Sequence, residues 1–306
     1  MPTTARFSIS PDDVSTRRRP RDSGRRTATE QSRPRASRDE AVDATTSIGP
    51  GLGITAGLDA GLARDLAAFC EQLGYHSLWS NDEPASPGLE TLAHFAAAAT
   101  ELELGVGALP LDRHQPLQIA ADIDHLGLDP AKLWIGIGSG QLRSPIETVR
   151  RAVAELRELL PDTRIVVAAM RPRLCRVGGA LADGVLLNWM LPGQAAAARQ
   201  WVKEAADEAG RPAPVVSSYI RVAVGSGSRQ RLRNEENHYR NLNEDHRQHF
   251  DAMNVPLGSV GVAASARSNV LAGLAPYHAA LDLPIVRLLA DHDQSSLRAA
   301  SNAAAP

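Results

Sequence analysis

From about residue 48 onward, short runs of apolar residues alternate with longer stretches whose apolar positions recur every three to four residues. Runs of the first kind predict strands and those of the second predict helices. The first strand-like run is "GLGITAG" at 51–57, followed by "LDAGLARDLAAFCEQLG", with Leu62, Leu66, Phe69 and Leu73 on one helical face and Gly74 as its stop. The pattern repeats with "YHSLWS" and the helical "LETLAHFAAAATEL", then with "LELGVGALP", stopped by Pro110, and a helix opening at Pro116. "LWIGIGSG", "RIVVAAM", "GVLLNWM" and "VVSSYIRVAVG" continue the series. A long polar and helical region, about 229–281, separates the last of these from a closing strand "PIVRLLA" and a final helix "DQSSLRAA".

That is eight strand–helix alternations. "IVVAAM" and "GVLLNWM" are apolar throughout, as strands of a parallel sheet buried on both faces must be. Eight units in the length available predict an α/β fold of the (β/α)8 TIM-barrel type. An open doubly wound sheet is the rival, but "GLGITAG" lacks the phosphate fingerprint such a sheet carries after its first strand, and "GIGSGQ" breaks it at Gln141. In a barrel the active site is built at the C-terminal strand ends. The positions to inspect are therefore Asn81 to Glu83, Gly105 to Arg113, Gly138 to Gln141, Met170 to Arg173, Asn188 to Met190, Tyr219 to Arg221, and Arg287.

Composition sets the segment before the barrel apart. Residues 1–46 are rich in Arg, Ser, Thr and Pro and poor in large apolar side chains. Such a stretch is expected to form a disordered tail, leaving 47–306 as the barrel domain. The net charge of −2 over the whole chain suggests no nucleic-acid partner for the barrel. No apolar run approaches the length of a membrane span. Cys70 and Cys175 match no metal or redox spacing and read as reduced, buried thiols of a cytoplasmic protein. No lysine falls at a predicted strand end, which argues against Schiff-base chemistry, and no His/Asp cluster suggests a metal site.

Several segments, in order, resemble the bacterial luciferase-like monooxygenases: "QLGYHSLWSNDEP", "LELGVGALPLDRHQP", "LWIGIGSG", "AAMRPRLCRVGGALADGVLLNWMLP" and "PYHAALDLPIVRLL". The resemblance covers about residues 51–300. It implies a luciferase-like barrel that uses FMN or the deazaflavin F420 to transfer hydride to or from, or to oxygenate, a small organic substrate. It also implies a backbone bulge with a non-prolyl cis peptide at the end of the third strand, supporting the cofactor ring; here that is Val106, Gly107 and Ala108. The chain departs from the family twice. Only one helix separates "GIGSG" from "RIVVAAM", where members commonly carry a long insertion, and Asp82 stands where many deazaflavin users place a histidine.

The residues suit these roles chemically. Exposed amides at a glycine turn or a helix N-terminus hold phosphate, which singles out Gly138, Ser139 and Gly140, and Met170 with Arg171 ahead of Pro172. Asn81 is the candidate for the ring's polar edge, and Asp82 for proton transfer or substrate orientation; the competing reading of Asp82 is a helix cap near Pro87 or Gly88. Arg287 lies on a strand that should be buried and is expected to form a structural ion pair. The expected function is a flavin- or F420-dependent oxidoreductase, with F420 slightly favoured. An FMN enzyme would bring in a flavin reductase as partner, and a homodimer is the assembly considered. The alternative is a non-catalytic flavin-binding barrel, motivated by the short loops over the site.

Overall fold

A computed structural model describes residues 48–306; the tail expected over 1–46 lies outside the described residues. Strands β1 (Gly51–Ile54), β2 (Ser77–Ser80), β3 (Glu103–Pro110), β4 (Leu133–Gly138), β5 (Arg164–Ala169), β6 (Gly184–Asn188) and β7 (Val215–Val224) are parallel, each to the next. The closing strand, β9 (Leu283–Leu288), pairs with both β7 and β1 and so completes an eight-stranded parallel barrel. A further short strand, β8 (Val262–Ala264), pairs with the C-terminal end of β7 outside the barrel series. It falls within the stretch read from the sequence as polar and helical.

Helices α1 (Ala60–Gln72), α2 (Gly88–Ala96), α3 (Pro116–His125), α4 (Pro145–Leu159), α5 (Pro172–Leu181) and α6 (Pro192–Glu208) follow β1 to β6 in turn. Four of them begin with proline in the first turn, where the missing N–H is no loss. Asp59 caps α1 by accepting from the amides of Gly61 and Leu62, and α1 turns Ala63, Leu66, Ala67 and Cys70 inward. Cys70 and Cys175 are both free and buried. After β7 come α7 (Ser228–Arg240) and α8 (Glu244–Met253), then β8, α9 (Arg267–Ala280), β9 and α10 (Gln294–Ala304). No helix among the described residues is long and apolar enough to cross a membrane.

Alternation with period two sends every second strand residue into the lumen. At the N-terminal end the Glu103 carboxylate accepts from Trp134 Nε1 at 2.6 Å, contacts His76 Nε2 at 3.0 Å and pairs with Arg164 at 2.9 Å. Above it Trp79, Trp134, Val166, Leu186, Tyr219, Leu283 and Ile285 form one buried cluster. Trp79 tilts against Trp134 at 6.1 Å and meets Tyr219 edge-on at 6.4 Å. Such a filled lumen needs gaps opposite its large rings. Gly105 supplies one, for a Cβ there would lie 2.2 Å from the Trp79 ring.

Candidate functional site

The third strand breaks register against β4 between Val106 and Leu109, and the Gly107–Ala108 peptide within this bulge is cis. Gly136 on β4 makes room for the bulge: a Cβ there would sit 2.6 Å from the Val106 carbonyl oxygen. Gly107 faces the lumen, against Leu186 and the Tyr219 hydroxyl. Ala108 faces the mouth. Together with Gly138 and Ala168 it forms a low floor across the ends of β3, β4 and β5, the two alanine methyls each 3.8 Å from where a Gly138 Cβ would stand. All three floor residues are partly accessible.

Around this floor the other sequence-predicted residues are already engaged. Asn81 accepts from the Ala56 amide at 2.7 Å and donates to Glu83 at 2.9 Å, so it joins the ends of β1 and β2. The Asp82 side chain is only 2% exposed. One oxygen accepts from the Gly88 amide at 2.9 Å, at the start of α2; the other takes Arg113 at 2.5 Å and His114 Nε2 at 2.8 Å. Asp82 thus gathers two cationic or cationisable side chains at the rim while holding a helix start. Gly140 has φ +59, and the turn it makes abuts Asp112, whose carboxylate accepts from the Gln141 amide at 2.9 Å. An internal carboxylate therefore lies against the turn that the sequence offers to a phosphate, and Ser139 lies beside it, partly exposed.

Met170 and Arg171 sit at the end of β5, where α5 starts with no side-chain cap. Arg171 is half-exposed and reaches α8 through Gln248 at 3.3 Å and Asp245 at 3.8 Å. A pocket of about 420 Å³ opens here, lined by Met170, Arg171, Met190, Trp201 and His249 among others. Those two candidates share this pocket, whereas the Val106–Ala108, Gly138–Gly140 and Asn81–Asp82 groups share the β2–β4 side of the mouth.

The remaining side of the mouth, over β6, β7 and β9, is roofed by α7 and α8. Trp189, Leu232, Phe250, Met253 and Val260 form a buried cluster there. Trp189 has φ +53, unusual for a bulky residue, and its carbonyl accepts from His249 at 2.7 Å. Beneath this roof Arg221 is 2% exposed and Arg287 4%. Arg221 donates to the Asn188 side-chain oxygen and lies 4.1 Å from the Trp189 ring centre and 4.9 Å from that of Tyr239. Burial, with like charge from Arg287, pulls the Arg221 guanidinium below its ordinary pKa, against the opposing pull of Tyr239 and Glu235. Arg287 donates to Thr55 Oγ1 at 3.0 Å. The ion pair expected for it is not formed among the described residues; its guanidinium is met by the Thr55 hydroxyl and lies 5.9 Å from the Tyr219 ring centre instead. The sequence marked Arg221 and Arg287 singly. Their adjacency, and the parts of Asp112, Tyr239 and His249, come from segments far apart in the chain and leave no spacing signal.

No family model matches the chain. A curated luciferase-like monooxygenase of Escherichia coli K12 is 32% identical over 105 residues, 32% of this chain, and the match spans only 30% of that relative's length. Among solved structures, the coenzyme F420-dependent tetrahydromethanopterin reductase of Methanopyrus kandleri superposes with a TM-score of 0.65 at 14% identity, over 84% of this chain and 97% of that one. The oxygenating constituent of 3,6-diketocamphane monooxygenase from Pseudomonas putida, in complex with FMN, superposes with a TM-score of 0.62 at 13% identity, over 85% and 98%. The sequence resemblance and the fold agree: the chain is similar to luciferase-like monooxygenases and has their (β/α)8 barrel.

Proposed function

We propose that this barrel is a flavin- or F420-dependent oxidoreductase acting on a small organic substrate. The observation that carries the reading is the bulge of β3 beside the low floor of Ala108, Gly138 and Ala168, at the open side of the mouth. A flat ring system needs a surface without protruding side chains, and these three residues offer one. A flavin or deazaflavin supplies the redox chemistry itself, leaving the protein to hold it, orient the substrate and exclude water.

Ala108 and the Val106–Gly107 backbone would support one face of the ring, and Asn81 would meet its polar edge. The anionic tail fits Arg171 and the uncapped start of α5 better than the Gly138–Gly140 turn, where Asp112 already supplies negative charge. Asp82 acts as a positioning residue. It holds Arg113 and His114 at the rim, and His114, being partly exposed, is the group placed to exchange a proton with substrate. Hydride transfer and oxygenation are both open to such a site, the latter with a separate flavin reductase. The roof of α7 and α8 excludes water from the β6, β7 and β9 side of the mouth, which faces the floor.

Gly138 provides the test. A Cβ there would make only ordinary contacts at 3.8 Å, so Gly138→Leu should fold, which its urea midpoint checks, while its larger side chain covers the floor. Absorbance and fluorescence titrations with FMN and with F420 should show saturable binding to the wild type and at least about tenfold weaker binding to Gly138→Leu, roughly 1.4 kcal/mol. Failure of the wild type to bind either cofactor at tens of micromolar overturns the reading.

A further inference from the structure

Arg221 and Arg287 occupy matched positions on the neighbouring strands β7 and β9, and both enter the lumen beside Tyr219, whose ring centre is 5.9 Å from each guanidinium carbon. Two like charges are thus buried together in one layer. Buried charges are ordinarily paired, since an uncompensated one retains a desolvation cost. Here no described carboxylate lies within ion-pair distance of either. They are met instead by uncharged oxygens, those of Asn188 and the Tyr239 hydroxyl for Arg221 and that of Thr55 for Arg287. Donors are left over: Arg221 Nε and Arg287 Nη1 are buried without a hydrogen-bond partner. Each such orphan in a folded protein calls for an explanation. Asn188 and Thr55 are both only partly buried, so these two neutral acceptors lie on the side from which a ligand would arrive.

We infer that Arg221 and Arg287 together form a receptor for the oxyanion group of the substrate, a carboxylate or a phosphate. This rests on the oxidoreductase reading for the word substrate, and on the arginine pair alone for the oxyanion. A planar guanidinium presents donors in a fork that fits two oxygens at once. An oxyanion between the two forks takes the orphaned donors, displaces the neutral oxygens of Asn188 and Thr55, and cancels the repulsion between the arginines. It would also place the bound molecule across the lumen from the β3 bulge, with Tyr219 between them. Tyr219 is already shared by both sides: it flanks Gly107 on one and the guanidiniums on the other.

The test uses the whole chain. Melting temperature and tryptophan fluorescence are followed during titration with sodium phosphate and, separately, sodium acetate, against sodium chloride at matched ionic strength. Ligands that bind only the folded state raise the melting temperature saturably. The expected result is a saturable rise with phosphate or acetate beyond chloride, and the stronger of the two names the group. Trp189 stacks on Arg221 and should report the same saturation in its emission. Arg287→Lys keeps the charge without the fork and should bind about tenfold more weakly; Arg287→Met should lose the response while still melting cooperatively. A wild type that responds to phosphate and acetate only as it does to chloride overturns the inference, as does an Arg287→Met protein that responds like the wild type. FMN and F420 binding is read by absorbance in the same samples. Anion saturation with no cofactor bound leaves the arginine site standing and removes the oxidoreductase frame. Cofactor binding that displaces the anion in wild type assigns the pair to the cofactor's phosphate and overturns the substrate assignment. Additive binding supports it.

Discussion

Gly136 and Gly138 lie two residues apart on β4 and answer to different neighbours. The first is pressed by the bulge of β3; the second opens toward the mouth, with nothing closer than ordinary contact. Gly136→Ala should therefore destabilise the protein by about 1–3 kcal/mol through overpacking against backbone that cannot yield, whereas Gly138→Ala should leave stability within about 0.5 kcal/mol. Urea denaturation of the two variants checks this, and equal midpoints would refute the division. Arg221 makes the opposite case. Replacing a buried, unpaired charge by an apolar side chain of similar length removes a desolvation cost, so Arg221→Met should be neutral or stabilising by about 1–4 kcal/mol even though it breaks the bond to Asn188. A clear loss of stability would mean that stacking on Trp189 and Tyr239 outweighs that cost. Such a stability gain on losing a side chain marks a residue retained for its function rather than for the fold.

At the scale of elements, the barrel strands and most helices were legible because each carried a local cause: alternating or continuous apolar runs, and a proline at the start of α3, α4, α5 and α6. What was not legible depended on long-range partners. The pattern "GLGITAG" extends to 57, yet β1 ends at Ile54, the last residue with a strand partner on β2. The alanine-rich stretch after Leu89 reads as helix to Leu102, but α2 stops at Ala96 and the chain turns toward β3. Three residues, Val262–Ala264, become a strand only because β7 runs on past the barrel and offers an edge. The resemblance supplied the bulge of β3, which composition and periodicity could not. For the roof, the polar pattern predicts helix but not that it folds over the mouth. Its chemistry gives a test of its own. Burial holds His246 and His249 on α8 below the ordinary histidine value of 6.5, reinforced for His246 by His249 and Arg221 and for His249 by Arg171, with Asp245 and the Trp189 carbonyl pulling the other way. Neutral in the fold, they contribute stability that is full above about 6.5 and is lost as pH falls from there through their lower folded values. Limited proteolysis within Gly225–Gly227 and around Gly258, the glycine turns that flank the roof, should accelerate between pH 7.5 and 5.5. The acceleration should shrink in a His246→Gln/His249→Gln protein; an unchanged pH response in that double variant would refute the assignment.

Across the whole molecule the lumen is layered: a charged plug at the N-terminal end, an aromatic and aliphatic middle, and a cationic mouth. The plug joins four consecutive barrel units, through His76 just before β2, Glu103 on β3, Trp134 on β4 and Arg164 on β5. Its strength should therefore appear in global unfolding rather than in local opening. Burial by itself would raise the Glu103 pKa. Hydrogen bonds from His76 and Trp134 and the charges of Arg164 and His76 outweigh that effect and hold the carboxyl below its ordinary 4.5. A carboxyl depressed in the fold takes up its proton first in the unfolded chain. Its contribution is accordingly present above about pH 4.5 and is lost as pH falls through the lower folded value. Glu103→Gln removes the charge but keeps the shape, and should cost on the order of 2 kcal/mol at neutral pH, the scale of hydrogen bonds to a charged acceptor. Urea midpoints of wild type and variant, measured from pH 7 downward, should lie apart at neutrality and converge below pH 4.5. The direction of convergence is the decisive feature, since a purely steric defect in Glu103→Gln would keep the two curves parallel throughout.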